Sequence, residues 1–271
     1  MEQRFTDYHK ELVLILDFGS QYTQLIARKV RELGVYCEIY PYNVSMDAIR
    51  SMNPKGIVLS GGPSSINEEN APICEKGVFD LKVPVLGICY GLQLLSKTFG
   101  GKVEKAPKRE FGKAQLYIET KDKFLDGIKD GDIVWMSHSD KVLNMPRGFV
   151  TLARSDNSPH AVIRNEAGSI YGVQFHPEVH HTPKGKRILK NFLYKICKLK
   201  GLFSPKSFVE LATERIREET GGQKVICALS GGVDSSVVAA LIHRAIGANL
   251  QCVFVNNGVL RKNEAEEVIS A

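Results

Sequence analysis

A cysteine between two glycines is the residue of this chain best placed for nucleophilic chemistry. Cys89 lies in GICYG, between an apolar run and a helical pattern, with one glycine two residues before it and another two residues after it. This spacing is the cysteine version of the nucleophile elbow, a turn so sharp that only glycine avoids steric conflict on either side. The amides and the dipole of the following helix would favour the thiolate. Cys89 is therefore the candidate nucleophile.

The segment GVQFHPE supplies the groups that such a nucleophile needs. His176 and Glu178 stand two residues apart, so their side chains would point the same way on an extended chain, which Pro177 favours. A carboxylate beside an imidazole fixes its tautomer and stabilises its charged form. An isolated H-P-E is more often a surface loop, and a lone cysteine after an apolar run is more often a small core residue. The two segments together favour a Cys-His-Glu triad.

Acyl transfer also needs hydrogen-bond donors for a developing oxyanion. The turn SGGPSS (60–65) follows an apolar run and offers free backbone amides near the same edge of the predicted sheet. The amide of Tyr90, directly after the candidate nucleophile, is the other expected donor. Most Gly-Gly-Pro turns are only turns, so this segment alone is weak evidence.

A second candidate site is the glycine-rich stretch LSGGVDSS (229–236), which can cradle phosphate through backbone amides at a helix N-terminus. It is not a Walker A loop, because the lysine of that motif is absent. A serine-capped helix start is the alternative, but the pattern S-G-G-x-D-S-S favours a pyrophosphate-sized anion. Asp234 beside phosphates makes sense mainly with Mg²⁺. The candidate nucleotide-binding residues are Ser230, Gly231, Gly232, Val233, Asp234, Ser235 and Ser236.

The elements around these residues alternate between apolar runs and helical patterns. This alternation predicts an α/β fold with a mixed, mostly parallel sheet and helices on both faces. Strands are predicted over 11–19, 35–42 and 56–63, helices over 20–34 and 184–201, and a strand–turn–helix over 83–101. From about residue 111 the pattern changes to antiparallel-looking strands, the last over 169–178.

A second alternation begins near residue 205. Helices are predicted up to Gly221, over 234–246 and from about 262, with strands over 224–230 and 250–258. We therefore predict two domains, 10–201 and 205–271, of which the second is an incomplete Rossmann-like domain. Two strands leave apolar edges bare, so we expect the chain from about residue 205 onward to be marginally stable and mobile.

Composition excludes several classes of protein. The 271 residues are 43% hydrophobic and 24% charged, which is typical of a soluble globular protein. The sequence contains neither a membrane span nor a secretory signal, and the basic clusters behind the net charge of +6 are mixed with other residue types. We therefore expect no membrane and no nucleic-acid partner. Six cysteines without a C-x-x-C pair indicate reduced thiols in a cytoplasmic protein and no zinc site.

In their order and spacing, DFGSQY, SGGP, GICYGLQLL and GVQFHPE closely resemble the class I, triad-type glutamine amidotransferase domain over roughly residues 10–200. In that family the cysteine attacks the side-chain amide of glutamine, forms a γ-glutamyl thioester and releases ammonia, and water then frees glutamate. The resemblance implies a triad of Cys89, His176 and Glu178, with oxyanion amides from Gly62 and Tyr90. It also implies that glutamine is held by Gln93 and the segment after Met136, in which an ordinary loop is the alternative for Ser137, His138 and Asp140.

The stretch 229–236 resembles the pyrophosphate loop of N-type ATP pyrophosphatases, which activate a carbonyl by adenylation. An amidotransferase domain followed by this loop is similar to the GMP synthase family, in which ammonia passes to an adenyl-XMP intermediate. The resemblance implies glutamine, ATP with Mg²⁺ and XMP as substrates, no tightly bound cofactor, and a homodimer only for the complete enzyme. Asn256 departs from the aspartate usual in that family, which puts a carboxylate role there in doubt.

Three other functions compete with this interpretation. The first is the glutaminase portion of another amidotransferase coupled to an ATP pyrophosphatase. The second is a tRNA-thiolating ATP pyrophosphatase, which needs further cysteines and has no use for a triad. The third is a binding module with a dead triad, although all three triad residues are present. The XMP-binding and dimer-forming parts of the family lie beyond residue 271, so we expect glutaminase activity here and at most weak ATP binding.

Overall fold

The computed structural model describes residues 8–256 and 263–270, except for the side chains of residues 8, 106–109, 207, 264 and 267. Two compact units divide the chain, Met1–Phe203 and Ser204–Ala271. None of the helices in the described ranges has the length and apolar character that crossing a membrane requires.

The first half of the first unit forms four parallel strands, of which three are almost completely buried. The strands are β1 (Val13–Asp17), β2 (Cys37–Pro41), β3 (Gly56–Leu59) and β4 (Val85–Ile88). They lie in the order β2-β1-β3-β4 and pair in parallel, and every residue of β3 and β4 is buried. Continuous burial is expected of parallel strands that are covered on both faces.

The second half of this unit adds antiparallel strands to the same sheet. These are β5 (Lys102–Ile118), β6 (Asp132–Asn144), β7 (Phe149–Arg154), β8 (Val162–Asn165) and β9 (Ile170–Val173). The nine strands follow the order β2-β1-β3-β4-β9-β8-β7-β5-β6. β9 joins the two halves, since it runs parallel to β4 and antiparallel to β8. The candidate residues that follow β4 and β9, Cys89 and His176, therefore come after neighbouring strands.

Helices cover both faces of the sheet, which confirms the predicted fold class. They are α1 (Thr23–Glu32), α2 (Met46–Met52), α3 (Tyr90–Thr98) and α4 (Gly185–Asn191), with short 3₁₀ helices at Tyr8–Glu11, Lys76–Asp80 and Lys123–Leu125. Ile26 of α1 and Ile188 of α4 belong to one buried apolar cluster, whereas Ile49 of α2 and Leu92 of α3 belong to another.

Three details differ from the sequence-based prediction. β5 begins at Lys102 rather than near 111. The prediction missed its first residues because they form a charged run that lacks apolar alternation. Helix α2, which has Ser45 as its N-cap, was not predicted. The helix predicted over 184–201 ends at Asn191 and passes into a π-helical turn, Phe192–Ile196.

The two ends of the first unit are tied together by one carboxylate. Glu11 accepts hydrogen bonds from the backbone amides of Lys200, Gly201 and Leu202, at 2.6, 3.0 and 3.2 Å. The amide of Phe203 donates to the carbonyl of Gly34 at 2.9 Å. The last residues of this unit therefore lie beside the residues that lead into β1.

The second unit is a small parallel α/β arrangement. Its elements are α5 (Pro205–Thr220), β10 (Val225–Leu229), α6 (Val233–Ile246), a 3₁₀ turn (Gly247–Asn249), β11 (Leu250–Phe254) and α7 (Glu264–Ser270). β10 and β11 form a two-stranded parallel sheet. The strand predicted over 250–258 ends at Phe254, and residues 257, 258 and 262, which belonged to the predicted strand and helix start, lie outside the described residues.

Candidate functional site

The turn between β4 and α3 has the geometry of a nucleophile elbow. Cys89 has φ 51° and ψ −102°, a strained conformation that costs a non-glycine residue on the order of 1–3 kcal/mol. A Cβ added to Gly87 would lie 2.5 Å from the backbone of Gly91, and one added to Gly91 would lie 2.5 Å from the carbonyl oxygen of Leu59. Neither position has room for a side chain. The turn therefore presents Cys89 at the carboxyl end of β4, at the start of α3.

His176 and Glu178 are brought together by a turn and not by an extended strand. β9 ends at Val173, and the chain bends at 174–175 and turns at 177–178, so the predicted extension to residue 178 was wrong. His176 Nδ1 nevertheless lies 2.7 Å from Glu178 Oε1, and both side chains are buried. The pairing of the two side chains is as predicted, but a turn makes the contact instead of alternation along a strand.

The charges around His176 favour its protonated form. Burial lowers the pKa of His176, but Cys89 and Glu178 raise it through their charges and hydrogen bonds, and the pKa lies well above its ordinary value. An imidazolium at neutral pH would stabilise a thiolate on Cys89 and could protonate a leaving amine. The other carboxylate oxygen of Glu178 is buried and has no partner among the described residues.

These groups open onto a polar cavity of about 770 Å³. Of the residues predicted for the first site, all except Glu178 line it, namely Gly62, Cys89, Tyr90, Gln93, Ser137, His138, Asp140 and His176. Its volume lies within the range of small-molecule sites, roughly 300–1,000 Å³. The cavity can therefore hold a ligand of amino-acid size against the sulfur.

Two backbone amides at the cavity wall are available to an oxyanion. Among the described residues, neither the amide of Gly62 nor that of Tyr90 has a protein acceptor. The turn that carries Gly62 is fixed by Ser60, whose carbonyl accepts from the amide of Gly91 at 3.2 Å and whose hydroxyl accepts from the amide of Phe18 at 3.0 Å. A Cβ on Gly62 would lie 2.8 Å from the carbonyl oxygen of Phe18, so the approach requires glycine.

The segment 137–140 is held in place by Gln93, which was itself predicted to bind glutamine, and by Ser65. The side-chain amide of Gln93 donates to the carbonyl of Asp140 at 2.8 Å, and the carboxylate of Asp140 accepts from the hydroxyl of Ser65. The carbonyl of Ser137 accepts a weak hydrogen bond from the thiol of Cys89 at 3.6 Å. Gln93 and Asp140 therefore shape this wall of the cavity.

Sequence reasoning missed a buried carboxylate behind this segment. The ring of His138 contacts the carbonyl of Asp140 at 2.9 Å and a carboxylate oxygen of Glu110 at 3.2 Å. The hydroxyls of Ser155 and Ser158 donate to Glu110 at 3.1 and 2.8 Å. Burial raises the pKa of Glu110, but the hydrogen bonds and the charge of His138 outweigh it and leave the pKa below its ordinary value.

No signal in the sequence pointed to Glu110. It stands in a charged run, and its partners lie 28, 45 and 48 positions further along the chain. Only the pairing of β5 with β6, and the turn after β7, bring these side chains together.

The glycine-rich loop of the second unit precedes a helix of 14 residues, α6. The hydroxyls of Ser235 and Ser236 both donate to the carbonyl of Gly232 at 3.0 Å, and the hydroxyls of Ser230 and Ser235 lie 3.1 Å apart. Gly231 has φ 81°, a conformation that favours glycine. The serines thus hold the loop in a compact turn at the N-terminus of α6.

Asp234 of this loop is exposed. Within the described residues, no three His, Cys, Asp or Glu side chains cluster as a metal site would require. A cation at Asp234 would therefore need most of its ligands from a bound phosphate or from water, as Mg²⁺ commonly takes them.

Similarity to known families covers both units. Residues 14–196 match the model described as glutamine amidotransferase class-I. Residues 223–269 match the one described as tRNA methyl transferase HUP domain. GMP synthase [glutamine-hydrolyzing] from Acetivibrio thermocellus is 55% identical over 260 residues, which are 96% of this chain and 51% of that protein. The chain spans about half the length of the curated relatives it matches.

Solved structures resemble this fold as well. The crystal structure of a candidate GMP synthase component from Thermoplasma acidophilum has a TM-score of 0.64 and 35% identity, over 69% of this chain and 94% of its own. A glutamine amidotransferase from Thermotoga maritima has a TM-score of 0.53 and 21% identity, over 89% of this chain and 100% of its own. The second likeness supports the fold alone.

Proposed function

Because the chain belongs to the class-I glutamine amidotransferase family, we propose that its first unit hydrolyses glutamine to glutamate and ammonia. The observation that carries this proposal is the line of three buried groups at the polar cavity. Cys89 and His176 line this cavity together, and Nδ1 of His176 lies 2.7 Å from Oε1 of Glu178. A nucleophile, a proton carrier and an orienting carboxylate in that order are what acyl transfer requires.

The reaction begins with the Cys89 thiolate, which attacks the side-chain carbonyl carbon of glutamine. The carbonyl oxygen becomes an oxyanion and accepts hydrogen bonds from the free amides of Gly62 and Tyr90. The His176 imidazolium then gives its proton to the amide nitrogen as the carbon–nitrogen bond breaks. Ammonia leaves, and a γ-glutamyl thioester on Cys89 remains.

The second half of the cycle returns the enzyme to its starting state. His176, now neutral, takes a proton from water, and the resulting hydroxide attacks the thioester carbonyl. The same two amides stabilise the second oxyanion. The carbon–sulfur bond breaks, glutamate leaves, and Cys89 and His176 again form a thiolate–imidazolium pair, which Glu178 stabilises from the far side of the ring.

We further propose that the ammonia serves the ATP-dependent amination of XMP to GMP in purine nucleotide synthesis. Two observations support this assignment: the name of the curated relatives and the serine-rich loop at the N-terminus of α6. ATP with Mg²⁺ would place its pyrophosphate against residues 230–236, with Asp234 facing the cation. Dimer formation is proposed only for an enzyme with the full length of those relatives.

Glutamate release and active-site labelling test the glutaminase proposal. Purified chain should release glutamate and ammonia from glutamine in a ratio of one to one, and XMP and ATP are added in parallel samples. A γ-glutamyl electrophile should label Cys89 and spare the exposed Cys252, the matched control among the free thiols. Labelling spread over several cysteines, without glutamate release, would contradict the triad assignment.

A second candidate function rests on the match of residues 223–269 to the tRNA methyl transferase HUP domain. If the second unit served tRNA modification, exchange of ³²P-labelled pyrophosphate into ATP by full-length protein would depend on tRNA. With XMP as acceptor, the exchange would depend on XMP and be indifferent to tRNA. The glutaminase site favours the second outcome, since an acceptor that needs ammonia explains both units.

A further inference from the structure

The peptide of His176 lies outside any strand, and two groups from other segments hold it. Its amide donates to the carbonyl of Trp135, in β6, at 3.0 Å. Its carbonyl accepts from the hydroxyl of Thr182 at 2.7 Å. Both backbone hydrogen-bonding groups of His176 are therefore used for attachment.

The Thr182 hydroxyl links His176 to the sheet. Its oxygen also accepts from the amide of Trp135 at 3.0 Å, so one hydroxyl bridges β6 and the His176 carbonyl. Together with the His176 amide bond to Trp135, this closes a ring of three hydrogen bonds. Thr182 is only 4% exposed, and its amide donates to the carbonyl of Val179 at 3.1 Å. Water has little access to replace the hydroxyl.

Glu178 cannot perform the same task. It fixes the rotation of the imidazole through Nδ1, but it stands two residues from His176 in the same turn and moves with it. The position of the ring relative to Cys89 depends on what ties that turn to the sheet. Among the described contacts, the backbone of Trp135 and the Thr182 hydroxyl hold the peptide of His176 itself, while the amide of Gln174, two residues earlier, donates to the carbonyl of Ala161 at 2.8 Å.

We propose that Thr182 is a positioning residue that sets the distance between His176 and Cys89. The inference rests on the proposed function, in which these two groups exchange a proton. A displacement of about 1 Å between reacting groups can cost on the order of 100-fold in rate. The hydroxyl of Thr182, and not its methyl group, carries the effect.

Paired substitutions separate the hydroxyl from the methyl group. Thr182→Val keeps the size and removes the hydroxyl, whereas Thr182→Ser keeps the hydroxyl. We expect Thr182→Val to lower kcat for glutamine hydrolysis about 10- to 100-fold with KM within about 3-fold, and Thr182→Ser to stay within about 3-fold of the parent. The matched control is Thr151→Val, a half-buried threonine of β7 whose hydroxyl contacts His160.

A second measurement does not depend on glutamine. Alkylation of Cys89 by iodoacetamide at neutral pH should slow about 10-fold in Thr182→Val and remain unchanged in Thr182→Ser, since misplaced imidazolium stabilises less thiolate. Circular dichroism establishes that each variant is folded. If Thr182→Val is unfolded, Thr182→Ala replaces it in both assays with the same expected losses.

Two results would overturn the inference. One is a folded Thr182→Val or Thr182→Ala variant with full kcat and full alkylation rate. The other is an equal loss in Thr182→Ser, which would assign the effect to the methyl group. If the parent chain hydrolyses no glutamine, the proposed function fails, and the alkylation rates still decide whether Thr182 positions His176.

Discussion

Two strand–turn–helix segments of this chain share a local design and have opposite surroundings. β4, the turn at Cys89 and α3 form one; β10, the turn at 230–232 and α6 form the other. Each has glycines close to the junction of a strand and a helix N-terminus: Gly87 and Gly91 on either side of Cys89, and Gly231 and Gly232 in the second turn. All four residues of β4 are buried, whereas in β10 only Cys227 is buried and Ile226 is 73% exposed.

The difference teaches that a catalytic turn needs a surrounding sheet to become a site. β4 lies between β3 and β9, so groups from distant parts of the chain meet at its end. In the described part of the second unit, β10 pairs only with β11, and the loop serines bond to one another and to the loop backbone. The first turn meets groups from several strands at a cavity, and the second offers a helix terminus and a compact loop.

The largest expected effect comes from removing the nucleophile. Cys89→Ala should lower the rate of glutamine hydrolysis by about 10⁴-fold or more, by analogy with triad knock-outs. Alanine fits the turn, because the glycines on both sides provide the close approach. Ammonia release measures the loss, and Cys252→Ala, at an exposed thiol, should keep full activity. Substantial residual activity in Cys89→Ala would contradict the proposal that the first turn carries the nucleophile.

Hydrogen exchange tests the structural side of that contrast. Amides of 85–95 should exchange at least about 100-fold more slowly than those of 225–254, since burial and pairing set the free energy of local opening. Mass spectrometry of peptic fragments resolves the two segments in one sample. Limited proteolysis should trim the chain toward residues 1–203. Equal protection would mean that the second unit is stable without further partners.

The roles of the two groups beside Cys89 are separable. His176→Ala should cost about as much as loss of the nucleophile, whereas Glu178→Gln should cost about 10- to 100-fold less, because the carboxylate orients and does not react. Glutamine can still accept a hydrogen bond from the ring. Steady-state kcat at saturating glutamine measures both variants. Equal losses would give Glu178 a larger part than orientation.

The smallest effect concerns Glu110, the buried carboxylate behind the segment 137–140. Glu110→Gln should lower the free energy of unfolding by about 1.5–3 kcal/mol at pH 7, the usual value for hydrogen bonds to a charged group. The pKa of Glu110 is lowered in the folded state, so its stabilisation is complete above the unfolded value and is lost as pH falls through the folded value. The difference between variant and parent should therefore shrink in acid.

Urea unfolding followed by tryptophan fluorescence measures this difference selectively. The chain has a single tryptophan, Trp135, which lies in the first unit, so the signal reports that unit alone. Glu119→Gln is the matched control, because Glu119 is partly exposed and contacts only Arg154 among the described ion pairs. A pH-independent difference would show that the charge of Glu110 contributes nothing.

Local patterns predicted the strand–turn–helix segments because their signals lie within a few residues. The flanking glycines predicted the sharp turn at Cys89, and the apolar runs predicted the buried parallel strands. The lengths of β5 and of α4 were less predictable. A charged run becomes part of β5, and α4 passes into a π-helical turn, for reasons that lie in tertiary contacts and not in the local pattern. Thr182 and Glu110 carried no signal at all. Their importance comes from partners that only the folded sheet brings near.

The hydrogen bonds that Glu11 accepts from residues 200–202 place the end of the first unit beside the residues that precede β1. Because the amides of Lys200 to Leu202 meet a side chain at residue 11, the backbone could be joined there by a short linker and opened elsewhere. The exposed bend at Thr120–Lys121 is a suitable new opening, since it lies between β5 and β6 and neither residue lines the cavity. A circular permutant of this kind would keep the turn at Cys89, the segment 137–140 and the hydrogen bonds of the Thr182 hydroxyl intact. The order of the strands along the chain could then be changed while the residues at the strand ends keep their positions.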